Sequence, residues 1–225
     1  MFKPLDIQGL EQAVERLAQD QKPLVRIVDD EAELRQGLAS LLMCEDLDYV
    51  AFASAEDYLL AEKCDRPGCL ILDIRMTGMS GLQLQNQLNE LGEVLPIIFL
   101  SGHGTLPIAV GTLKKGAVDF LEKPFDPDVL IQTVHSAIKT NLQTREKQDV
   151  LRQTIERFSE LSDRERQVLK DVAAGLPNKA IGEHLGISPR TVEIYRGSCL
   201  KKLCLHKAEE ASRVVSVLKR VGVLW

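Results

Sequence analysis

The chain has 225 residues, 44% hydrophobic and 27% charged, with a formal net charge of −5, enough for one or two domains with cores of their own. Its longest apolar run, Val94 to Leu100, is far too short to span a bilayer, and the charged first residues lack the apolar stretch of a secretory signal. Five cysteines (Cys44, Cys64, Cys69, Cys199 and Cys204), odd in number and without CxxC or Cys/His metal spacing, point to reduced thiols in a cytoplasm rather than a disulfide scaffold or zinc site.

The charge divides unevenly. Residues 1–140 carry 12 basic and 22 acidic side chains, net −10, and residues 141–225 carry 16 and 11, net +5. An acidic first part joined to a basic last part implies two tasks, the second suited to nucleic acid.

In chain order, residues 1–22 form an N-terminal extension in which Ile7, Leu10, Val14 and Leu17 have the spacing of a short amphipathic helix. Strand-then-helix units follow. Leu24 to Val28 reads as strand one, closed by Asp29-Asp30-Glu31, with a helix to about Cys44. Asp48 to Ala53 reads as strand two, with a helix from near Ala55. Cys69 to Leu72 is a continuous apolar run, as a buried parallel strand should be, and sets Asp73 at its carboxyl end. Gly81 to Leu91 is helical, Val94 to Leu100 is strand four, and Pro107 lies in the first turn of a helix that Gly116 closes. Ala117 to Leu121 is strand five, followed by a helix from about Asp126 to Thr140. Five such units predict a doubly wound α/β domain over residues 23–140 with a parallel sheet.

Residues 141–158 lack Pro and Gly and read as a helical linker, either part of a dimer contact or a solvated spacer helix. Residues 159–225 contain no strand pattern. Ser162 and Glu165 form an S-x-x-E capping box, Pro177 opens a second helix, and Gly186-Ile187 is a tight turn. Ser188 and Pro189 then start a helix to about Leu203, and Lys207 to Val221 makes a fourth. Two helices joined by a short Gly-containing turn make a helix-turn-helix.

A lone aspartate at a strand end is equally a helix cap. In a sheet of this winding, however, strands one and three are neighbours, which brings Asp29, Asp30 and Asp73 to one crevice. Three carboxylates there repel unless a cation lies among them. A hard divalent ion, Mg²⁺ or Mn²⁺, suits such oxygens, with a loop carbonyl, that of Arg75, as a further ligand. Ser101 and Lys123 supply a hydroxyl and a point cation suited to phosphoryl oxygens. Asp73 is then a phosphoryl acceptor. The plainer reading of the pair is a Lys123–Asp73 salt bridge, which is compatible with the same site at rest.

The segment Ser188 to Leu203 reads SPRTVEIYRGSCLKKL, with an apolar face at Val192, Cys199, Leu200 and Leu203. A helix in the major groove needs such a division. The predicted DNA-binding set is Lys179, Arg190, Thr191, Val192, Tyr195, Arg196, Lys201 and Lys202. Within it Thr191, Tyr195 and Arg196 are groove contacts, and Lys179 and Lys202 are phosphate contacts.

The motifs Val28-Asp29-Asp30-Glu31, Leu72-Asp73-Ile74-Arg75-Met76, Ser101-Gly102-His103-Gly104 and Phe120-Leu121-Glu122-Lys123-Pro124-Phe125 resemble the receiver domain of bacterial two-component response regulators. The last part resembles a LuxR-type helix-turn-helix, and together they are similar to the FixJ-like branch of the FixJ/NarL family. The resemblance implies a sheet ordered 2-1-3-4-5 and transfer of phosphate from a sensor histidine kinase to Asp73. It implies Ser101 and the aromatic Phe120 as a switch pair, a cis Lys123–Pro124 bond, dimerisation through the helix-four and strand-five face, and promoter DNA and RNA polymerase as partners.

The chain also departs from that pattern. Thr77 stands where the family usually has proline, so the loop loses a fixed φ. Gly111 lies inside helix four, Tyr195 replaces a common histidine, Gly197 weakens its helix, and Cys204 takes a usual glycine position. Cys199 and Cys204 are expected to be packing and spectator thiols rather than a redox pair. Two other readings stay open: a phosphatase-like enzyme, disfavoured because Arg75 stands where that chemistry prefers a second acid, and a DNA-binding protein whose receiver answers a different signal.

Overall fold

A computed structural model describes residues 22–61, 64–102 and 106–223. The expected helix at Ile7–Leu17 and the loop residues His103 and Gly104 lie outside them. The chain divides into two compact units, Met1–Arg145 and Glu146–Trp225.

In the first unit the strands are β1 (Leu24–Val28), β2 (Asp48–Phe52), β3 (Gly68–Asp73), β4 (Ile97–Ser101) and β5 (Asp119–Glu122). They form one parallel sheet of order β2-β1-β3-β4-β5. Every residue of β1, β3 and β4 is buried, whereas β2 alternates between half-buried and exposed. The hydrophobic runs therefore occupy the three central positions, where both faces are covered by helices.

Between the strands lie α1 (Ala32–Cys44), α2 (Ala55–Leu60), α3 (Gly81–Glu90) and α4 (Leu106–Lys114). The two-residue period of the strands splits the core into two layers. On one face Val25, Ile27, Cys69, Ile71, Ile98 and Leu100 pack with Leu38 and Leu42 of α1. On the other Val28, Leu70, Leu72, Ile97 and Phe99 pack with Leu84 and Leu88 of α3.

The expected break near Thr140 is absent. Residues Pro127–Ser159 form one helix, α5, of 33 residues. Asn141, fully buried, explains the continuity. Its Oδ1 accepts from Gly68 N at 3.0 Å and its Nδ2 donates to Val94 O at 3.2 Å, tying α5 to the starts of β3 and β4. Strands four and five likewise begin later than expected, at Ile97 and Asp119.

The second unit holds α6 (Asp163–Ala173), α7 (Asn178–Leu185), α8 (Pro189–Lys202) and α9 (Ala208–Arg220). The expected capping box is present: Glu165 N donates to Ser162 Oγ at 3.3 Å, and Ser162 N donates to Glu165 Oε2 at 2.8 Å. Gly186 ends α7 in the left-handed region at φ 66°, turning the chain into α8 at little steric cost. Val168, Leu169, Ile181, Val192, Cys199, Leu203, Ala211, Val215 and Leu218 make the shared core.

Candidate functional site

Three strand ends meet at one cation. Asp29 follows β1, Asp73 ends β3, and Lys123 follows β5. Lys123 Nζ lies 2.7 Å from Asp73 Oδ1, 2.9 Å from Asp29 Oδ2 and 3.7 Å from Glu31 Oε1. The second oxygen of each buried aspartate takes a backbone donor: Glu31 N to Asp29 Oδ1 and Arg75 N to Asp73 Oδ2, both at 2.8 Å. The predicted Lys123–Asp73 salt bridge is thus the arrangement observed.

Burial pushes the Asp73 carboxyl above the usual aspartate range, more than Lys123 draws it down. For Lys123 burial works against the charge, but hydrogen bonds to Asp73 and Asp29 outweigh it and hold its pKa above the ordinary lysine value. Gly81 lets the following helix sit this close, because a Cβ there would stand 2.1 Å from the Asp73 carbonyl oxygen.

Asp30 does not join this cluster. It is exposed, and its Oδ2 accepts from Thr77 N at 2.8 Å and from Thr77 Oγ1 at 3.0 Å. These bonds, the backbone one first, hold its pKa below the usual value. The expected crowding of three carboxylates is therefore resolved by a lysine between two of them and a loop clamp on the third. Among the described residues no group of three acidic, His or Cys side chains is already arranged to hold a metal ion. The donors present, carboxylate and carbonyl oxygens, still fit a hard divalent ion in kind. Arg75, expected to offer its carbonyl, contacts the pocket through its N–H.

The loop from Arg75 to Met79 is held by acids along its length. Alternate amides, Arg75, Thr77 and Met79, donate at 2.8 Å to Asp73, Asp30 and Glu56. Glu56, in the first turn of α2, escaped the sequence reading, since nothing in its local pattern separates it from an ordinary helix-start acid.

Ser101 is buried at the end of β4, and its carbonyl accepts from Lys123 N at 2.8 Å. Phe120, on β5, pairs in register with Phe99 and packs half-buried against the second core layer. The Lys123–Pro124 peptide is cis.

In the second unit, α8 presents Arg190, Glu193, Ile194, Gly197 and Lys201 to solvent, at the spacing of one helix face. Val192 is corrected from the DNA-binding set: it is fully buried in the helical core, one step around from that face. Lys179 is exposed. Thr191 is half-buried, and its N–H donates to Ser188 Oγ at 3.1 Å. Tyr195 packs against the core. Arg196 Nη1 donates to Asn178 Oδ1 at 2.9 Å, and Lys202 Nζ donates to Glu165 Oε2 at 2.8 Å, so both have partners inside the unit. Ile194, 65% exposed on the same face, belongs to neither the predicted DNA-binding set nor the predicted apolar face. Cys199 is buried, which pushes its thiol up to about 11, and Cys204 is exposed. A thiol raised so far is a poor nucleophile.

No helix of the described residues is long and apolar enough to cross a membrane. Residues 25–135 match the response regulator receiver domain family, and residues 159–215 match the bacterial regulatory proteins of the luxR family. The response regulator protein TodT of Pseudomonas putida is 40% identical over 200 residues, covering 89% of this chain and 88% of its own. The transcriptional regulatory protein FixJ of Azorhizobium caulinodans is 39% identical over 199 residues, covering 88% and 93%. Among solved structures, the response regulator StyR aligns with a TM-score of 0.79 at 36% identity, covering 87% of this chain and 98% of that one. Receiver domains generally bind Mg²⁺ at their phosphorylation site, and the pairing with a DNA-binding domain implies a kinase and DNA as partners. The chain belongs to the FixJ/NarL family of two-component response regulators, transcription regulators that join a receiver domain to a LuxR-type DNA-binding domain.

Proposed function

We propose that Asp73 is the phosphoacceptor and that its phosphorylation by a sensor histidine kinase sets how the chain pairs on promoter DNA in the cytoplasm. The observation that carries this reading is the buried Asp73 carboxylate held 2.7 Å from Lys123 Nζ at the carboxyl edge of the sheet. An Asp73 oxygen attacks the phosphorus, the bond from phosphorus to the kinase imidazole nitrogen breaks, and that nitrogen keeps the electron pair.

Mg²⁺ or Mn²⁺, held by Asp29, Asp30, Asp73 and the Arg75 carbonyl, would neutralise charge on the phosphoryl oxygens. Lys123 is tethered to Asp29 as well as Asp73. It therefore remains beside the reacting carboxylate when one Asp73 oxygen takes the phosphoryl group as an acyl phosphate, and can turn to the new anion. Ser101, whose carbonyl is bonded to Lys123 N, would couple that anion to Phe120. A phosphoryl group adds about −1.5 to −2 charge and three acceptor oxygens. Movement of Ser101 toward it lets Phe120 turn inward and reshapes α4 and β5, where Val110 and Leu113 of α4 are 41% and 43% exposed and available to a second copy. The chain turns over no separate substrate; its chemistry is Mg²⁺-dependent gain and loss of its own phosphoryl group.

In the DNA-binding unit, Arg190, Ile194 and Lys201 face the major groove and Lys179 a phosphate, with Thr191, Tyr195 and Arg196 at the edge of the contact. RNA polymerase is the partner acted on once the pair is on DNA. The test is Asp73→Asn with acetyl phosphate and Mg²⁺: labelling of the full chain is lost, and persistent labelling would overturn the assignment.

A further inference from the structure

We propose that Thr77 is a positioning residue that sets the metal affinity of the acidic pocket by competing for Asp30. The inference rests on the reading of Asp30 as a metal ligand and adds to it a determinant peculiar to this loop.

Both Thr77 donors, the amide at 2.8 Å and the hydroxyl at 3.0 Å, converge on a single oxygen, Asp30 Oδ2. Bonds to an ionised acceptor are the stronger kind. The clamp belongs to a series along the loop, with Arg75 N on Asp73 and Met79 N on Glu56 on either side, so the amide is delivered by a backbone already fixed at both ends. Asp29 and Asp73 meanwhile converge on Lys123 without Asp30. A cation that takes Asp30 through Oδ2 must give up or share the Thr77 bonds, and one that takes it through Oδ1 must accept or turn the carboxylate orientation that they fix. That cost enters the binding constant directly.

Proline at this position has no N–H and no hydroxyl, and it removes both halves of the clamp. Valine keeps the amide and removes only the hydroxyl. Serine keeps both donors.

The experiment is calorimetric titration of the full chain with MgCl₂ near neutral pH, without any phosphodonor. Asp30→Asn first tests the underlying reading, and an unchanged Mg²⁺ affinity in that variant would overturn it. Thr77→Val is expected to bind Mg²⁺ about threefold more tightly, Thr77→Pro about tenfold, and Thr77→Ser like the wild type. In an Asp30→Asn background the gain from Thr77→Pro is expected to vanish, an outcome a general stiffening of the loop would not produce. If Thr77→Pro fails to fold, Thr77→Val against Thr77→Ser carries the comparison. Weakened binding in Asp30→Asn together with no gain in Thr77→Val or Thr77→Pro, or a gain that survives in the Asp30→Asn background, would overturn the inference.

Discussion

Lys123 Nζ stands 2.7 Å from Asp73 Oδ1, and the same ammonium bridges 2.9 Å to Asp29. With only 16% of its side chain exposed, this lysine is shared by two buried carboxylates and offsets the charge of one. Lys123→Ala leaves them facing one another without a cation. In EDTA the variant is expected to lose about 2–4 kcal/mol of receiver stability. Mg²⁺ should restore more of the melting temperature than it adds to the wild type, because the ion then supplies the missing charge. Equal responses to Mg²⁺ in the two proteins would count against this.

Glu165 joins two helices through one carboxylate. Its Oε2 accepts from Ser162 N and from Lys202 Nζ, both at 2.8 Å, while Oε1 accepts from Ser198 Oγ at 2.6 Å. Burial opposes the charge, but these donors together lower its pKa from 4.5 to about 2. A depressed acid stabilises the fold fully above its unfolded pKa and loses that contribution as pH falls toward the folded value. The second unit is therefore expected to weaken between pH 4.5 and about 2, by up to roughly 3 kcal/mol. Amide exchange of α6 and α8 in the full chain should show it, and Glu165→Gln should be less stable at neutral pH with a flatter profile over that window.

Asn141 satisfies a backbone donor of β3 and a backbone acceptor ahead of β4 from inside a helix. Asn141→Leu keeps a similar volume and strands both groups. A loss of about 2–4 kcal/mol is expected, read by denaturant unfolding of the receiver unit. A change within error of zero would mean that the backbone groups find other partners.

Base recognition by α8 and phosphate holding by Lys179 of α7 are separable. Lys179→Ala should reduce the slope of log affinity against log salt by about 0.9 and weaken all DNA sequences alike. Ile194→Ala should leave the slope unchanged and relax preference at one base pair, through a lost contact such as that with a thymine methyl. Binding titrations on a site and its single-base variants over a salt series distinguish the two.

The doubly wound architecture was legible because buried parallel strands carry runs such as CLILD that no half-exposed strand tolerates. The helix starts were legible because Ser162 and Glu165, or Ser188 and Pro189, act within one turn. Val192 stood in both the predicted apolar face and the predicted DNA set, and Ile194 in neither, because only the docked core settles which side of the helix faces solvent: Val192 is buried and Ile194, two positions on, is exposed. That the helix runs on past Thr140 was not legible for a similar reason: Asn141 is anchored by Gly68 and Val94, partners that only the fold brings near.

By itself, then, the amino-acid order determined the alternation of strands and helices, the acids at two strand ends and the basic last module, since each depends on neighbours within a few positions. Which acids share Lys123, that Asp30 is held by Thr77, and that Glu165 reaches α8 as well as its own cap were decided only in three dimensions. Those contacts join residues 33 to 94 positions apart, and their energies depend on burial and direction that no local pattern encodes.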